Sequence, residues 1–304
     1  MTIRKAVIPA GGLGSRFLPI TKALPKEMLP IVDVPAIQFV VEEAIAAGID
    51  SILIVTNSHK RMLEDYFDKS LELERLLEDQ GKHDLSRVVR EISSMVDIHF
   101  IRQKEPLGLG HALLCARQFV DGEPFAVLLP DELIQSDPPC LAEMKQVYEQ
   151  FSTSVVAVQK VPFDDVERYG IIAPSTAFEL QNIRLQMVDD VIEKPSRREA
   201  PSNCAVVGRY ILEPEVLDIL QGIAPGRGGE IQLADALRAH NEHHQMMALE
   251  VCGKRYDIGN KLGYLQACLD YALDRDDLNV ELSGYLHSIA RMPAPTDSFV
   301  KARV

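Results

Sequence analysis

The chain has 304 residues, of which 46% are hydrophobic and 25% are charged, and these fractions exclude a disordered or fibrous protein. Its 32 Lys and Arg against 45 Asp and Glu give a formal net charge of −13, which disfavours general binding to nucleic acid or anionic membranes. Five widely spaced cysteines without a C-x-x-C pair favour reduced thiols over a disulfide framework or a thiolate zinc site.

No uncharged apolar stretch reaches the roughly 18 residues that a membrane span needs. The few residues before the first predicted strand leave no room for a secretion signal. We therefore expect a cytoplasmic protein. We find no internal repeat, low-complexity tract or long linker, and we expect residues 1–304 to form one continuous domain.

Short apolar stretches alternate with helical periodicities in the first half of the chain. Strands are predicted at residues 3–9, 51–56, 96–102 and 125–130. Helices are predicted at residues 36–47, 61–67 and 109–119. This alternation implies right-handed crossovers and a mostly parallel sheet covered by helices on both faces. Residues 70–94 look like an insertion of two amphipathic helices broken near Gly81.

The second half of the chain is less regular. Strands are predicted at residues 154–161, 169–173, 187–193, 203–210 and 246–251. Helices are predicted at residues 215–220, 230–241 and 261–274. We expect an α/β fold with a small sheet extension and a helical C-terminal end. His240, His243 and His244 are expected at a solvated helix end, because no metal-binding spacing accompanies them.

The strongest local signal is the sequence AGGLGSR at residues 10–16, directly after the first strand. Glycines let the backbone approach a ligand and turn its N–H groups toward an anion. The spacing does not match a P-loop. Phe17 stands where the dinucleotide fingerprint needs its third glycine, and prolines interrupt the helix that should follow. A nicotinamide cofactor is therefore disfavoured.

Residues 1–26 carry five cations and no carboxylate. The cations are Arg4, Lys5, Arg16, Lys22 and Lys26. A cationic segment beside an amide-rich loop favours a polyphosphate ligand. The alternative is a glycine turn followed by a solvated basic loop.

Three further polar side chains follow predicted strands. Asp131 and Asp257 supply the hard oxygen atoms that Mg²⁺ takes from proteins when phosphates complete its coordination. Either aspartate could instead be a turn or helix-cap residue. Because Pro195 favours an extended residue before it, Lys194 should project from the edge of its strand. The alternative is an ordinary exposed lysine.

Longer motifs are similar to those of a known family. They are PKEMLP at residues 25–30, GLGHA at 108–112, PSN at 201–203, VGRY at 207–210, GEIQL at 229–233 and DIGNKLGY at 257–264. On these motifs, residues 3–288 resemble the sugar-phosphate nucleotidyltransferases. The segment FDKSLELE at residues 67–74 is typical of their uridylyl branch, the bacterial UTP–glucose-1-phosphate uridylyltransferases.

The resemblance implies the nucleotide-diphospho-sugar transferase fold, a Rossmann-like mixed and mostly parallel sheet flanked by helices. It implies a nucleotide-binding half at 3–135, a sugar-binding half at 136–260, and a helical segment at 261–304 with oligomer contacts in a homodimer or homotetramer. The implied reaction transfers uridylyl from UTP to α-D-glucose 1-phosphate with Mg²⁺, giving UDP-glucose and pyrophosphate. A thymidylyltransferase that uses dTTP and a catalytically weak regulatory paralogue are the alternatives.

The resemblance also implies residue roles. These are nucleotide binding by Ala10, Gly11, Gly12, Gly14, Gln103 and Gly108; catalysis at the phosphates by Arg16, Lys26 and Lys194; sugar binding by Gly170, Glu193 and Val207; and Mg²⁺ binding by Asp131 and Asp257. The sequence departs from the family mildly. Glu132 stands where a second aspartate often follows the metal ligand, and Phe17 and Ile20 vary within the glycine loop.

Overall fold

The structure is a computed structural model that describes residues 2–291. The strands are β1 (Lys5–Pro9), β2 (Pro30–Ile31), β3 (Val34–Pro35), β4 (Ser51–Thr56), β5 (Asp97–Arg102), β6 (Phe125–Leu128), β7 (Glu132–Gln135), β8 (Val155–Lys160), β9 (Gly170–Leu180), β10 (Ile183–Glu193), β11 (Cys204–Leu212), β12 (Met247–Glu250) and β13 (Lys254–Asp257). The α-helices are α1 (Ala36–Ala46), α2 (Arg61–Phe67), α3 (Leu71–Asp79), α4 (His83–Ile92), α5 (Gly108–Cys115), α6 (Arg117–Val120), α7 (Cys140–Phe151), α8 (Glu215–Gly222), α9 (Leu233–Asn241), α10 (Lys261–Leu273) and α11 (Asn279–Ala290).

The central sheet has nine strands in the order β5-β4-β1-β6-β11-β8-β12-β10-β9. The strands β5, β4, β1 and β6 are mutually parallel, whereas β11 and β10 run antiparallel to their neighbours. Two small sheets, β2 with β3 and β7 with β13, lie outside it. The predicted mixed, mostly parallel sheet flanked by helices is therefore confirmed, together with its small extension.

Alternate residues of the buried strands form the two halves of the core, one on each face of the sheet. Ile8 and Ile52 pack with α1 and α7 on one face. Val7 and Leu53 pack with α5, α8 and α9 on the other. This arrangement explains why these strands lack polar alternation, since a sheet covered by helices on both faces has no solvated side.

Several predicted elements differ from the observed ones. The helix predicted at 109–119 is two helices, α5 and α6, and the helix α7 was not predicted. The strands β9 and β10 form a hairpin that extends beyond the predicted segments, because main-chain pairing continues where the side chains are mostly exposed. The insertion does form two helices, α3 and α4, with Gly81 between them at a φ of +71°.

The C-terminal end is helical through α10 and α11, and residues 292–304 of the predicted segment lie outside the described part of the chain. The expectation that His240 lies at a solvated helix end is wrong, because its side chain is fully buried at the end of α9. It packs beneath His244, with the two rings stacked 4.9 Å apart. All five cysteines are free. Within residues 2–291, the helices are too short or too polar to cross a membrane.

Candidate active site

The glycine-rich loop leaves the sheet at the carboxyl end of β1, beside the end of β4. Parallel strands place such loops on one edge of a sheet, where open α/β sheets bind ligands. Gly14 has a φ of +66°, and a Cβ atom there would lie 3.2 Å from side-chain atoms of Lys26 and Thr21. Glycine is required at this position by both its conformation and its packing. The N–H of Ala10 donates to Val55 O at 2.7 Å. This amide is therefore already bonded within the sheet, and the nucleotide-binding role of Ala10 stays a prediction.

The five cations near the N-terminus do not form one cluster. Arg4 pairs with Asp50, and Lys5 pairs with Glu123 at 3.0 Å. Both lysine and arginine lie at the amino end of β1, so the strand itself separates them from the loop at its carboxyl end. Lys22 is exposed. Of the five predicted cations, the structure brings Arg16 and Lys26 to the site.

The two predicted metal ligands converge on Gly259. A Cβ atom at Gly259 would lie 3.0 Å from Asp257 Oδ1, 3.2 Å from Asp131 Oδ2 and 3.7 Å from Arg16 Nη1. Glycine therefore leaves a small space between two carboxylates and a guanidinium. Two hard oxygen donors with room for phosphate ligands fit Mg²⁺. Within the described residues, no group of three or more His, Cys, Asp or Glu side chains could hold a metal ion. The protein alone therefore does not form a complete metal site in this part of the chain.

Lys26 links the glycine loop to this pair. Its Nζ donates to Asp131 Oδ2 at 2.5 Å. Burial disfavours the charged form of Lys26, but the nearby carboxylates of Asp131 and Glu27 outweigh it, and the pKa of Lys26 is raised. Burial would also raise the pKa of Asp131, but the ammonium of Lys26 outweighs it and the pKa is lowered. Both groups are therefore charged at neutral pH.

Glu132, the departure beside the metal ligand, lines the same cavity as Asp131 and Asp257, and its carboxylate is paired with an arginine. Arg255 donates to its two carboxylate oxygens at 2.6 and 2.7 Å, within the ribbon of β7 and β13. Burial raises the pKa of Glu132 to about 7, against the opposing effect of Arg255. The same ribbon places Asp257 opposite Glu132, which fixes the position of the second predicted ligand.

Lys194 lies where two cavities meet. The smaller cavity, of about 250 Å³, is lined by Asp131, Gly170 and Glu193. The second cavity, of about 550 Å³, is lined by Gly12 and Gln103. Lys194 lines both cavities. The predicted extended backbone is wrong, because Lys194 has a φ of +44°. Its N–H donates to Tyr169 O at 3.0 Å, so the chain turns sharply where β10 ends. Its Nζ lies 2.8 Å from Glu193 Oε1.

The second cavity is bounded by the start of α5. Gln103 Nε2 donates to Gly108 O at 3.0 Å and lies 3.0 Å from His111 Nδ1. This leaves Gln103 Oε1 beside Gly11, where a Cβ atom would approach it to 2.6 Å. Gly108 has a φ of +92° and packs against Glu230. Four of the six predicted nucleotide-binding residues, Gly11, Gly12, Gln103 and Gly108, therefore line this cavity, whereas Ala10 and Gly14 do not.

The smaller cavity is lined by two of the three predicted sugar-binding residues. Gly170 and Glu193 are paired across the β9–β10 hairpin. The side chain of Val207 is fully buried in the core beside α1, so it does not line the cavity. Its neighbours in β11, Val206 and Gly208, do so, because successive strand residues face opposite sides of the sheet.

Arg168 and Tyr169 are among the residues of this cavity that sequence reasoning missed. Arg168 donates to Asp257 Oδ2 at 3.1 Å, and the hydroxyl of Tyr169 donates to the same oxygen at 3.2 Å. The guanidinium of Arg255 lies over the ring of Tyr169, 4.7 Å from its centroid. The sequence signal that could have found Arg168 and Tyr169 was their position directly before Gly170, a predicted sugar-binding residue.

Residues 5–273 match the nucleotidyl transferase family, and the protein belongs to it, as its motifs predicted. Its relatives are more specific. The chain is 49% identical over 287 residues to the UTP–glucose-1-phosphate uridylyltransferase of Bacillus subtilis (strain 168), a match that covers 94% of this chain and 97% of that protein. Membership of the bacterial UTP–glucose-1-phosphate uridylyltransferases is thereby confirmed.

Solved structures agree with this assignment. UTP-bound UGPase from Acinetobacter baumannii is 39% identical to this chain, with a TM-score of 0.85. The match covers 96% of this chain and 100% of that one. A UDP-glucose pyrophosphorylase complexed with UDP-glucose is 42% identical with a TM-score of 0.80, covering 90% of this chain and 100% of that one.

Proposed function

We propose that this enzyme transfers uridylyl from UTP to α-D-glucose 1-phosphate, giving UDP-glucose and pyrophosphate. The observation that carries the proposal is the position of Lys194 at the junction of two cavities, one beside the glycine loop and one beside Gly170 and Glu193. A transfer between a nucleotide and a sugar phosphate needs a cation where the two phosphates meet. The relatives that bind UTP and UDP-glucose support the choice of substrates.

The reaction needs charge cancellation and alignment more than acid–base chemistry. An oxygen of the sugar phosphate attacks the α-phosphorus of UTP in line, and pyrophosphate leaves. That nucleophile is already ionised at neutral pH, so no general base is required. We assign Arg16 and Lys26 to the triphosphate and Lys194 to the sugar phosphate. Gly11, Gly12 and the loop amides bring the backbone close to the nucleotide.

Asp131 and Asp257 are the residues that would hold Mg²⁺. When bound, the ion supplies positive charge at the phosphates and restricts their geometry. Lys26 and Arg168 pair with these two carboxylates in this structure, so carboxylates that held an ion would leave both cations available to the phosphates. The division into a nucleotide-binding half at 3–135 and a sugar-binding half at 136–260 follows the same assignment.

The outer face of α10 and α11 is proposed to form homodimer or homotetramer contacts. Leu262, Leu265, Val280 and Tyr285 are between 57% and 80% exposed. An apolar surface on this scale is typical of an association site.

A pyrophosphate-release assay tests the proposed function. With Mg²⁺ and glucose 1-phosphate, the purified protein should turn over UTP at an ordinary enzymatic rate, on the order of 1 s⁻¹ or more, and dTTP more slowly. A preference for dTTP would make the protein a thymidylyltransferase. Turnover far below that rate with saturating Mg²⁺ and UTP would favour a regulatory paralogue.

A further inference from the structure

Arg209, in the VGRY motif, is fully buried within β11 and lines neither cavity. Two of its guanidinium nitrogens donate to main-chain carbonyls near the predicted metal ligand. Nη1 donates to Leu129 O at 3.2 Å, and Nη2 donates to Glu132 O at 2.7 Å. A buried arginine whose donors end on carbonyl oxygens orders the backbone that carries them.

Those two carbonyls bracket the turn at residues 129–132, with Asp131 between them. The turn is closed by the N–H of Glu132, which donates to Leu129 O at 3.3 Å, and Pro130 occupies its second position, where proline is favoured. Outside contacts hold it further. Leu129 N–H donates to Gly208 O at 2.8 Å, and Ile258 N–H donates to Asp131 O at 2.9 Å. The side chain of Asp131 is thus the part of the turn left to face the ligand.

The charge of Arg209 is balanced outside the active site. Glu43, from α1, accepts from Arg209 Nε at 3.0 and 3.1 Å and from Nη2 at 2.7 Å. The guanidinium therefore does not compete with an incoming cation for Asp131. Gly208 permits this close packing, because its φ is +74° and a Cβ atom would lie 3.0 Å from side-chain atoms of Leu129 and Glu132.

We propose that Arg209 is a positioning residue for the metal site: by holding the carbonyls of Leu129 and Glu132, it fixes the direction in which Asp131 points. The inference rests on the proposed role of Asp131 in binding Mg²⁺. Arg209 touches no substrate. It acts on the carboxylate through the turn, as residues that orient a metal ligand do, and losing such a contact typically lowers metal affinity by about 10- to 100-fold.

Two substitutions distinguish the contacts of Arg209 with the main-chain carbonyls from its contact with Glu43. Arg209→Lys keeps the charge opposite Glu43, but a single ammonium cannot hold both carbonyls and the carboxylate at once. Glu43→Gln removes the partner charge and keeps the guanidinium on the carbonyls. Binding of Mn²⁺ to the full-length protein, with UDP-glucose saturating, is measured by electron paramagnetic resonance. Thermal unfolding of each variant is followed in parallel.

We expect Arg209→Lys to weaken Mn²⁺ binding by about tenfold or more. Glu43→Gln should lower the melting temperature while leaving the Mn²⁺ dissociation constant within about twofold. Ile211→Ala, a buried change further along β11, controls for general loss of stability. Equal losses of Mn²⁺ binding in Glu43→Gln or Ile211→Ala would overturn the inference, and so would wild-type binding in a folded Arg209→Lys. If Arg209→Lys does not fold, Gly208→Ala is the second variant, because it displaces the same turn and keeps Arg209. It must also weaken Mn²⁺ binding, and unchanged binding in Gly208→Ala would overturn the inference.

Asp131→Asn distinguishes this inference from the proposed function. Wild-type Mn²⁺ binding in that variant would remove Asp131 from the metal site, and both proposals about it would fail. Lost binding in Asp131→Asn with wild-type binding in Arg209→Lys would contradict the positioning role alone.

Discussion

At the scale of single residues, three cations of the site are already paired with carboxylates in the free protein. Lys26 contacts Asp131, Arg168 contacts Asp257, and Lys194 contacts Glu193. Each pair costs less than an isolated buried charge would, because opposite charges compensate for lost hydration. Substrate and metal replace these partners instead of entering an uncompensated field, which is how a chain of net charge −13 can accommodate polyanions.

Lys194→Ala tests the residue at the junction of the cavities. We expect its kcat to fall by about 10²–10³-fold, the usual effect of losing one preorganised group that stabilises developing charge. The control is Lys69→Ala, at an exposed position before α3. Steady-state kinetics at saturating Mg²⁺ provide the measurement, and near-wild-type turnover by Lys194→Ala would remove this lysine from the mechanism.

Which of these residues could be predicted depended on where their partners lie in the sequence. Asp131 was predictable because it follows the end of β6, at the edge of the central sheet where such folds bind ligands. Asp257 ends β13 outside that sheet, so its position beside Asp131 followed from the resemblance and not from a predicted strand. The partners of Arg209 and Arg255 were not, because the pairs with Glu43 and Glu132 join residues that are 166 and 123 positions apart. Arg4 and Lys5 were wrongly grouped with Arg16 and Lys26. These cations are close in sequence, but Arg4 and Lys5 lie at the amino end of β1 and the glycine loop leaves its carboxyl end.

At the scale of elements, apolar periodicity closely located the strands β1, β4, β5 and β6 and the helices α1 and α2, but not the two-residue strands β2 and β3. It failed for the outer parts of β9 and β10, because strands that pair beyond the core need no apolar pattern. It failed for β7 and β13 for a related reason. That short ribbon is held by Glu132 and Arg255, a charge pair that has no periodicity to detect.

The loop after β13 yields a prediction about the space between the carboxylates. Gly259→Ala would place a methyl group 3.0 Å from Asp257 Oδ1 and 3.2 Å from Asp131 Oδ2, where the ion should bind. We expect the Mg²⁺ concentration for half-maximal rate to rise at least about tenfold. Gly222→Ala is the matched control, because nothing lies within 4 Å of its Cβ atom. An unchanged Mg²⁺ titration in Gly259→Ala would contradict the metal assignment.

The end of α9 predicts a pH dependence of stability. Burial, and then the neighbouring His244, lower the pKa of His240 below 6.5. As the pH falls through 6.5, the unfolded chain therefore takes up a proton that the folded chain does not. The free energy of unfolding should then decrease by up to about 1.4 kcal/mol per pH unit. Ser154 Oγ lies 3.2 Å from Nε2, and Glu213 Oε2, 3.4 Å from the same nitrogen, does not offset the effect of burial.

Urea unfolding between pH 7.5 and 5.5 measures this effect. His240→Gln should show a shallower pH dependence, and the slopes are compared because the substitution also changes packing. His83→Gln, at an exposed position in α4, should keep the wild-type slope. Identical slopes in His240→Gln and the wild type would show that His240 is not responsible.

At the scale of the whole molecule, α10 and α11 leave an apolar surface that the described chain does not cover. Leu265→Glu combined with Val280→Glu should dissociate a wild-type homodimer or homotetramer, because two carboxylates would be buried at the contact. Size-exclusion chromatography with light scattering measures the mass. Met62→Glu, at an exposed position in α2, is the control. A wild-type protein that is monomeric at micromolar concentration would contradict the proposed contact.

The central claim is that one cleft brings a nucleotide and a sugar phosphate together around Asp131, Asp257 and Lys194. A crystal structure with UDP-glucose and Mg²⁺ tests it most directly. The account predicts the ion between the two aspartates, Lys194 on the phosphate next to the sugar, and the glycine loop against the nucleotide. An ion bound elsewhere, or a glycine loop facing away from the phosphates, would contradict it.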